Sequence, residues 1–282
     1  MTGGPEKAEA LNQHIAEACG ELGLAFGVGS QRIALEGHGA AGFGRALRAA
    51  APDVAILANF GAAQLKTWNG AEMAERAIDM IDADALVIHI NPLQEAVQAG
   101  GDTDWSGLLR RIEGVCRASP RPIIVKEVGA GISGRIARSL VDAGVQGIDV
   151  AGLGGTNWAV VEAARAQSPD QRAIGEAFHD WGIPTAEAIT AVRHVCPDTQ
   201  VIGSGGVRDG VDAAKALRLG ADVAGFAGSV LESAVDSTEA MIGQLQAIVA
   251  QLRIACFCTG SRNIKELRCA PLLSGPPSPG AL

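Results

Sequence analysis

Two glycine-bearing segments late in the chain decide the fold: Gln200-Val201-Ile202-Gly203-Ser204-Gly205-Gly206-Val207-Arg208 and Asp222-Val223-Ala224-Gly225-Phe226-Ala227-Gly228. Each is a short apolar run that ends in glycine and leads into residues of helical spacing, the pattern of a βα unit. Working back toward the N-terminus, the pattern recurs, and strands are predicted at 22–27, 54–60, 85–91, 122–128, 147–151, 200–204 and 222–227. Several are nearly continuous in Val, Ile, Leu and Ala, as expected of strands buried on both faces of a parallel sheet. Helices are predicted over 5–20, 71–81, 105–118, 133–143, 185–195, 210–219 and 228–252. Ser133 and Asp209 stand at N-cap positions, and Gly144 and Gly220 at C-terminal stops.

Seven strands fit either an open doubly wound sheet or an eight-stranded barrel without its first strand. The two glycine-bearing exits choose the barrel. Loops after strands 7 and 8 of such barrels often form a phosphate site, and these segments take those places if one strand is absent in front. The predicted fold class is α/β, a (β/α)8 TIM barrel whose first strand is missing from this chain. It is expected as one domain over residues 1–273, with a flexible Ser/Gly/Pro-rich tail at 274–282. Residues 154–184 exceed an ordinary loop and are expected to run over the barrel mouth.

Composition agrees. With 282 residues, 48% of them apolar, the chain is long enough to bury one large core. The 23 lysines and arginines against 31 acidic residues leave a net charge of −8, which excludes a broad basic surface for nucleic acid. A small anion held at a helix N-terminus remains compatible. No apolar run reaches the roughly 18 residues of a membrane span, and no secretory signal pattern opens the chain. A cytoplasmic protein without a membrane partner is expected. The six cysteines fit no zinc spacing and are expected to be reduced.

Functional groups of such barrels sit where strands end. The exits here are Ser30-Gln31-Arg32, Asn59, His89-Ile90-Asn91-Pro92-Leu93-Gln94-Glu95, Lys126-Glu127, Gly154-Gly155-Thr156, Ser204 to Arg208, and Ala227-Gly228. Gly205-Gly206 alone could be a plain left-handed turn. Together with Ala227-Gly228 and the following helix it reads better as a cradle of backbone N–H groups for phosphate. Lys126 closes a buried strand, where an unpaired ammonium is costly; a salt bridge, an anionic ligand or an electron-rich ring would satisfy it. His89 alone reads as a core histidine, but beside Asn91, Gln94 and Glu95 it reads as part of a polar pocket. Glu95 by itself is a weak Mg²⁺ signal, since that ion takes one or two carboxylates plus substrate phosphates. Arg32 suits a substrate phosphate. Trp158 and Trp181 either pack or line a pocket wall.

These segments, with Met1-Thr2-Gly3-Gly4, Asn59-Phe60-Gly61-Ala62-Ala63-Gln64-Leu65, Gly101-Asp102-Thr103-Asp104 and Trp181-Gly182-Ile183-Pro184-Thr185, resemble the type 2 isopentenyl-diphosphate isomerases, which are FMN enzymes. The likeness covers nearly the whole chain. The run His89 to Glu95 is its most specific part; the glycine-rich segments are shared with other FMN barrels. The resemblance implies isomerisation between isopentenyl and dimethylallyl diphosphate with reduced FMN and Mg²⁺, the flavin being reduced by NADPH or NADH. It implies that Met1, Thr2, Gly3, Ser30, Asn59, Lys126 and Thr156 hold the flavin. Gly205, Gly206, Val207, Arg208, Ala227 and Gly228 would hold the FMN phosphate. Ser30, Gln31, Arg32, His89, Asn91 and Gln94 would hold the substrate, with Gln94 catalytic over the double bond and Glu95 the Mg²⁺ ligand. A homo-oligomer, tetramer or octamer, is implied as well.

The chain departs from the pattern at three places. The family carries about one βα unit and a basic Arg-Lys pair before Met-Thr-Gly-Gly, Ala151 stands where Ser is usual, and Asn157 where Ser is common. From the first departure, the chain as given is expected to be poorly soluble and nearly inactive. Two other readings stay open: an FMN-dependent 2-hydroxy acid oxidoreductase, which would need a His beside the Arg after the later strands, and an inactive relative.

Overall fold

The computed structural model describes residues 5–39 and 42–272. Seven strands form one sheet in strict sequence order: β1 (Phe26–Gly27), β2 (Ile56–Gly61), β3 (Ala85–His89), β4 (Ile123–Lys126), β5 (Gly147–Asp149), β6 (Gln200–Gly203) and β7 (Val223–Ala224). Every neighbouring pair is parallel, which requires a crossover between each strand and the next. The crossovers include α4 (Gly70–Ile81), α6 (Leu108–Ala118), α7 (Gly134–Asp142), α10 (Thr185–Val195) and α11 (Gly210–Leu219). Parallel order with helices outside is the wall of a TIM barrel. Among the described residues, β1 and β7 are the two edges of that wall.

The helical layer continues where the sheet does not. Helix α1 (Pro5–Leu22) packs on α12 (Gly228–Asp236) and α13 (Thr238–Cys258), so the last helices meet the first. His14 Nδ1 lies 2.9 Å from Ala234 O, and Thr238 Oγ1 donates to Glu17 at 2.6 Å across this seam. Helix α13 is long and apolar enough to cross a membrane; here it buries Met241, Leu245 and Ile248 against its neighbours.

The core lies between sheet and helices. Ile56, Ala58 and Phe60 of β2, and Leu86 and Ile88 of β3, are wholly buried, facing side chains such as Ala74, Ala77 and Ile81 of α4. Alternate residues turn to the barrel axis, because successive strand side chains point to opposite faces. The register therefore aligns Gly61, His89, Lys126, Asp149 and Ile202 in one layer at the strand ends. That layer is the floor of the candidate site.

All seven predicted strands occur, each shorter than its apolar run. Ser133 caps α7 by accepting from Ile136 N–H, and Asp209 caps α11 by accepting from Val211 and Asp212 N–H. Gly144 and Gly220 adopt φ of 96° and 120° at their helix ends. The predicted single helix 228–252 is corrected: Ser237, at φ −166° and ψ 167°, breaks it and caps α13 by accepting from Ala240 N–H. Its hydroxyl outcompetes helix continuation, the usual behaviour of Ser beside a helix start. Residues 154–184 are not plain loop either. They contain α8 (Trp158–Arg165) and α9 (Pro169–Glu176), and return to the barrel where Leu153 pairs with Pro184. The expected tail at 274–282 lies outside the described residues.

Candidate active site

Three backbone segments meet beside the ends of β6 and β7. Gly206 has φ 72°, and a Cβ on it would overlap the Gly154 carbonyl; a Cβ on Gly155 would come 2.8 Å from Gly206 N. Only glycine allows this approach. The N-terminus of α12 opens toward the same place, since a Cβ on Gly228 would lie 3.5 Å from Thr156 Oγ1 and meet nothing else within 4 Å. Ala227 offers α12 no side-chain cap, so its first N–H groups remain for a ligand. Ser229 Oγ ties this helix start to Val207 O at 3.0 Å. Glycine N–H groups, a threonine hydroxyl and the positive end of a helix together suit a phosphate. Arg208, predicted with this group, has a side chain that points elsewhere: it is exposed and paired with Asp212 at 3.0 Å.

The floor layer is polar. His89 Nδ1 lies 2.9 Å from Asn59 Oδ1, and Asn59 Nδ2 donates to Val28 O at 3.0 Å. Burial, with the Lys126 charge beside it, pushes the His89 pKa down to about 3, so the ring is neutral at ordinary pH. Lys126 Nζ donates to Glu127 O at 2.7 Å. Asp149 accepts from Ser204 Oγ at 2.5 Å and from Ala151 N–H at 3.3 Å, and burial raises its pKa. Ala151 takes φ 36°, a left-handed conformation unusual for a residue with a Cβ. Glu127, nearly fully buried, accepts N–H groups from Val128, Gly129 and Ala130 and shapes the β4 exit; burial raises its pKa against those donors.

One wall is helix α5 (Pro92–Val97), started by Pro92 at a position where proline's missing N–H costs nothing. Its first turn gathers the polar run. Asn91 Nδ2 donates to Glu95 Oε1 at 2.9 Å and Gln94 Oε1 at 3.3 Å. Glu95 Oε2 accepts the Asp102 N–H at 2.8 Å. Asn91 Oδ1 is buried without a partner, the one such side-chain atom among the described residues. An oxygen left this way implies a donor or cation supplied from outside the chain. Gln94 Nε2 donates to Glu162 Oε1 at 2.9 Å, joining α5 to α8. Leu93, Gln94, Val128, Trp158 and Trp181 line the cleft between them, so residues 154–184 do cover this part of the mouth.

Sequence reasoning missed Glu162, because it read residues 154–184 as loop and so had no helix face to examine. The i, i+4 spacing of Trp158 and Glu162 was the available signal. Asn157, noted only as a departure, fixes the covering segment: its Oδ1 caps Val160 N–H, and its Nδ2 donates to Phe178 O and His179 O.

Gln31 is corrected. Its side chain is fully buried, donates to Ala77 O at 2.9 Å and accepts the Asn59 N–H at 2.9 Å. It clamps the β1 exit to β2 and α4, and its amide is used up doing so. Ser30 and Arg32 are exposed beside it, Arg32 paired with Glu36 at 3.0 Å. Met1, Thr2 and Gly3 lie outside the described residues.

The residues present fit a flavin mononucleotide by the phosphate cradle, which a Cβ would fill, and by the cationic Lys126. They fit Mg²⁺ by the charged oxygen of Glu95 and the unpartnered Asn91 Oδ1, the hard oxygen donors this ion prefers. Three or more His, Cys, Asp or Glu side chains do not cluster anywhere among the described residues, so a metal here would need ligand oxygens too.

A family described as FMN-dependent dehydrogenase matches residues 45–272. An isopentenyl-diphosphate delta-isomerase of Stutzerimonas stutzeri (strain A1501) is 58% identical over 273 residues, 97% of this chain and 79% of that protein. One from Xanthobacter autotrophicus (strain ATCC BAA-1158 / Py2) is 56% identical over 272 residues, 96% of this chain and 79% of that protein. Among solved structures, a mandelate oxidase variant with a monooxide FMN adduct shares the fold with a TM-score of 0.62 at 18% identity, covering 94% of this chain and 74% of the other.

Proposed function

The chain belongs to the isopentenyl-diphosphate delta-isomerases of the FMN-dependent dehydrogenase family, and from that premise we propose that it interconverts isopentenyl and dimethylallyl diphosphate with reduced FMN and Mg²⁺, NADPH or NADH being the reductant. We place it in the cytoplasm as a homo-oligomer. The reaction adds a proton at the terminal carbon of the double bond and removes one from the carbon between that bond and the diphosphate-bearing carbon, with no net redox change. Reduced flavin, when bound, supplies the proton-carrying group. The Asn91–Gln94–Glu95 cluster on one helix turn carries this reading, because it sets a neutral amide and a carboxylate side by side at the strand exits, the same end of the barrel as the phosphate cradle.

The chain's own residues position and shield. Gly205, Gly206, Val207, Ala227, Gly228 and Thr156 hold the FMN phosphate through N–H groups and a hydroxyl. Lys126 and Ser30 serve the flavin. Glu95 holds Mg²⁺ on the diphosphate, whose remaining charge meets Arg32 and Ser30, with His89 and Asn91 nearby. Gln94 lies against the alkene and is a polar contact that carries no charge. Glu162 holds its amide in one orientation: a carboxylate only accepts, so Gln94 Nε2 is turned to it and Gln94 Oε1 toward Asn91. Trp158 walls the cleft with Leu93 and Val128, and Trp181 stands exposed at its rim; apolar walls around the alkene protect a cationic transition state from capture by water.

The test is to incubate the purified chain with isopentenyl diphosphate, FMN, Mg²⁺ and NADPH and follow dimethylallyl diphosphate by NMR. Dimethylallyl diphosphate as product supports the reading, and Gln94→Leu is expected to abolish most of the turnover while FMN binding stays intact. Turnover near the parent level in Gln94→Leu removes Gln94 from the mechanism. Oxidation of a 2-hydroxy acid with no isomerised product establishes the hydroxy acid oxidoreductase instead.

A further inference from the structure

The segment Gly101-Asp102-Thr103-Asp104, between α5 and α6, lies against the carboxylate assigned to Mg²⁺. A Cβ on Gly101 would overlap the Glu95 carbonyl, so the loop is seated directly on the Glu95 peptide. One residue on, Asp102 N–H donates to Glu95 Oε2 at 2.8 Å. The other oxygen, Oε1, accepts from Asn91 Nδ2 at 2.9 Å. The terminal torsion of a glutamate is soft, and one donor on each oxygen stops it from turning. Lone pairs remain on both oxygens, since a carboxylate offers about four acceptor positions. A metal therefore meets oxygens that are already aimed.

The two donors differ in what holds them. Asn91 precedes the same helix turn, four residues from Glu95. Asp102 sits in a loop without helix or strand, and its side chain adds a second carboxylate beside Glu95, with Asp104 a third. Among the described residues, Lys66 is the cation paired with this loop: Nζ lies 3.0 Å from Asp102 Oδ1 and 3.2 Å from Asp104 Oδ2. Lys66 ends the 3₁₀ turn Ala62–Lys66 that follows β2, and Arg111 of α6 braces that turn by donating to Leu65 O at 3.1 Å. Asp102 Oδ1 also accepts the Asp104 N–H at 3.1 Å, and Trp105 Nε1 donates to Asp102 O at 2.8 Å. Asp102 holds the Lys66 pKa up, and Ser106 with Lys66 pushes Asp104 down to about 2, so ammonium and carboxylate stay charged at neutral pH.

Lys66 thus grips the side chain of the residue whose peptide N–H grips Glu95. Without the ammonium, Asp102 and Asp104 repel each other and nothing ties them to the turn after β2. We propose that Lys66 is a positioning residue for the Mg²⁺ ligand: by holding Asp102 and Asp104 it keeps the Asp102 N–H on Glu95 Oε2 and so aims the carboxylate at the metal. The proposal rests on the assignment of Glu95 above. Loss of a group behind a metal ligand weakens metal binding by roughly 10–100-fold, and Lys66, acting through Asp102, belongs at the lower end.

Calorimetry on the FMN-loaded protein tests this with two probes, the magnesium complex of inorganic diphosphate and inorganic diphosphate in EDTA. Lys66→Met is expected to weaken the magnesium complex about tenfold and metal-free diphosphate by less than about twofold, and Lys66→Arg to restore the parent affinity. In a Glu95→Gln background, Lys66→Met is expected to cost less than about twofold, because the carboxylate it acts through is gone. Parent-like binding of the magnesium complex by Lys66→Met overturns the proposal. So does an equal loss in both backgrounds or with metal-free diphosphate, since the ammonium then acts on the anion or on the fold at large. Should Lys66→Met fail to take up FMN, Asp102→Asn replaces it, because that change removes the ion pair and keeps the N–H; the same expectations and refutations apply. Parent-like binding of the magnesium complex by Glu95→Gln overturns the assignment of Glu95, and the role of Lys66 with it.

Discussion

Replacing Gly206 by alanine tests the phosphate cradle most directly. Gly206 sits at φ 72°, where a residue with a Cβ pays about 1–2 kcal/mol. The added Cβ would also overlap the Gly154 carbonyl. That carbonyl belongs to backbone and not to a yielding side chain, so segments 154–156 and 205–206 must separate. Separation moves the N–H groups that face the phosphate. A hydrogen bond to a charged group contributes about 1.5–3 kcal/mol, so losing one weakens FMN by roughly tenfold to a hundredfold. The assay is quenching of FMN fluorescence on titration with apoprotein, run beside riboflavin, which lacks the phosphate. Gly243→Ala is the control, since a Cβ there meets nothing within 4 Å. FMN affinity within twofold of the parent, or an equal loss for riboflavin, would refute the cradle.

Four further outcomes are expected. His89 has a pKa pushed down from 6.5 to about 3 in the fold, so the unfolded chain binds the extra proton, and stability is present above 6.5 and lost as pH falls toward 3. At pH 5 the loss is about 2 kcal/mol; urea unfolding at pH 7.5 and 5 should show His89→Gln spared that loss, and parallel losses in both proteins would contradict it. Glu162→Gln should lower kcat far more than it raises KM, because a second amide no longer fixes the Gln94 amide; an unchanged kcat would make the Gln94–Glu162 contact purely structural. Glu95→Gln should raise the Mg²⁺ concentration needed for half-maximal rate by tenfold or so, about the worth of one charge-assisted contact, and an unchanged titration excludes Glu95 as the ligand. Asp222 binds Arg193 and Arg268 at 2.5 Å each and accepts the Val201 N–H at 2.8 Å, and these partners hold its pKa below 3.8 against the opposing effect of burial. Asp222→Asn should cost about 2–4 kcal/mol at pH 7, with the two proteins converging as pH falls below about 4; a gap that persists there would point to packing.

Much of the fold was legible because its signals are local. Apolar runs of Val, Ile and Leu mark strands buried on both faces, and Ser133, Asp209, Gly144 and Gly220 mark helix ends by chemistry confined to one turn. The polar run from His89 to Glu95 was equally visible, since a strand exit and a proline-started helix bring those residues together over a few positions. The break at Ser237 was not, because helical spacing runs on through it and only the capping hydroxyl decides. Gln31 was misread for a related reason: beside Ser30 and Arg32 it looks like a third mouth residue, but β2 and α4, contributed by distant stretches, take up its amide. The same holds for Glu162, whose partner Gln94 lies 68 positions away, and for His89, whose ring meets Asn59 30 positions away. The sequence by itself determined which segments are strands and helices, the class of fold and the segments that end at the barrel mouth, because propensity, capping and burial pattern act between near neighbours. Which amide faces the mouth, which partner His89 meets and which glycines touch were decided only by the tertiary structure, because hydrogen-bond partners far apart in the chain must compete for the same few directions in space.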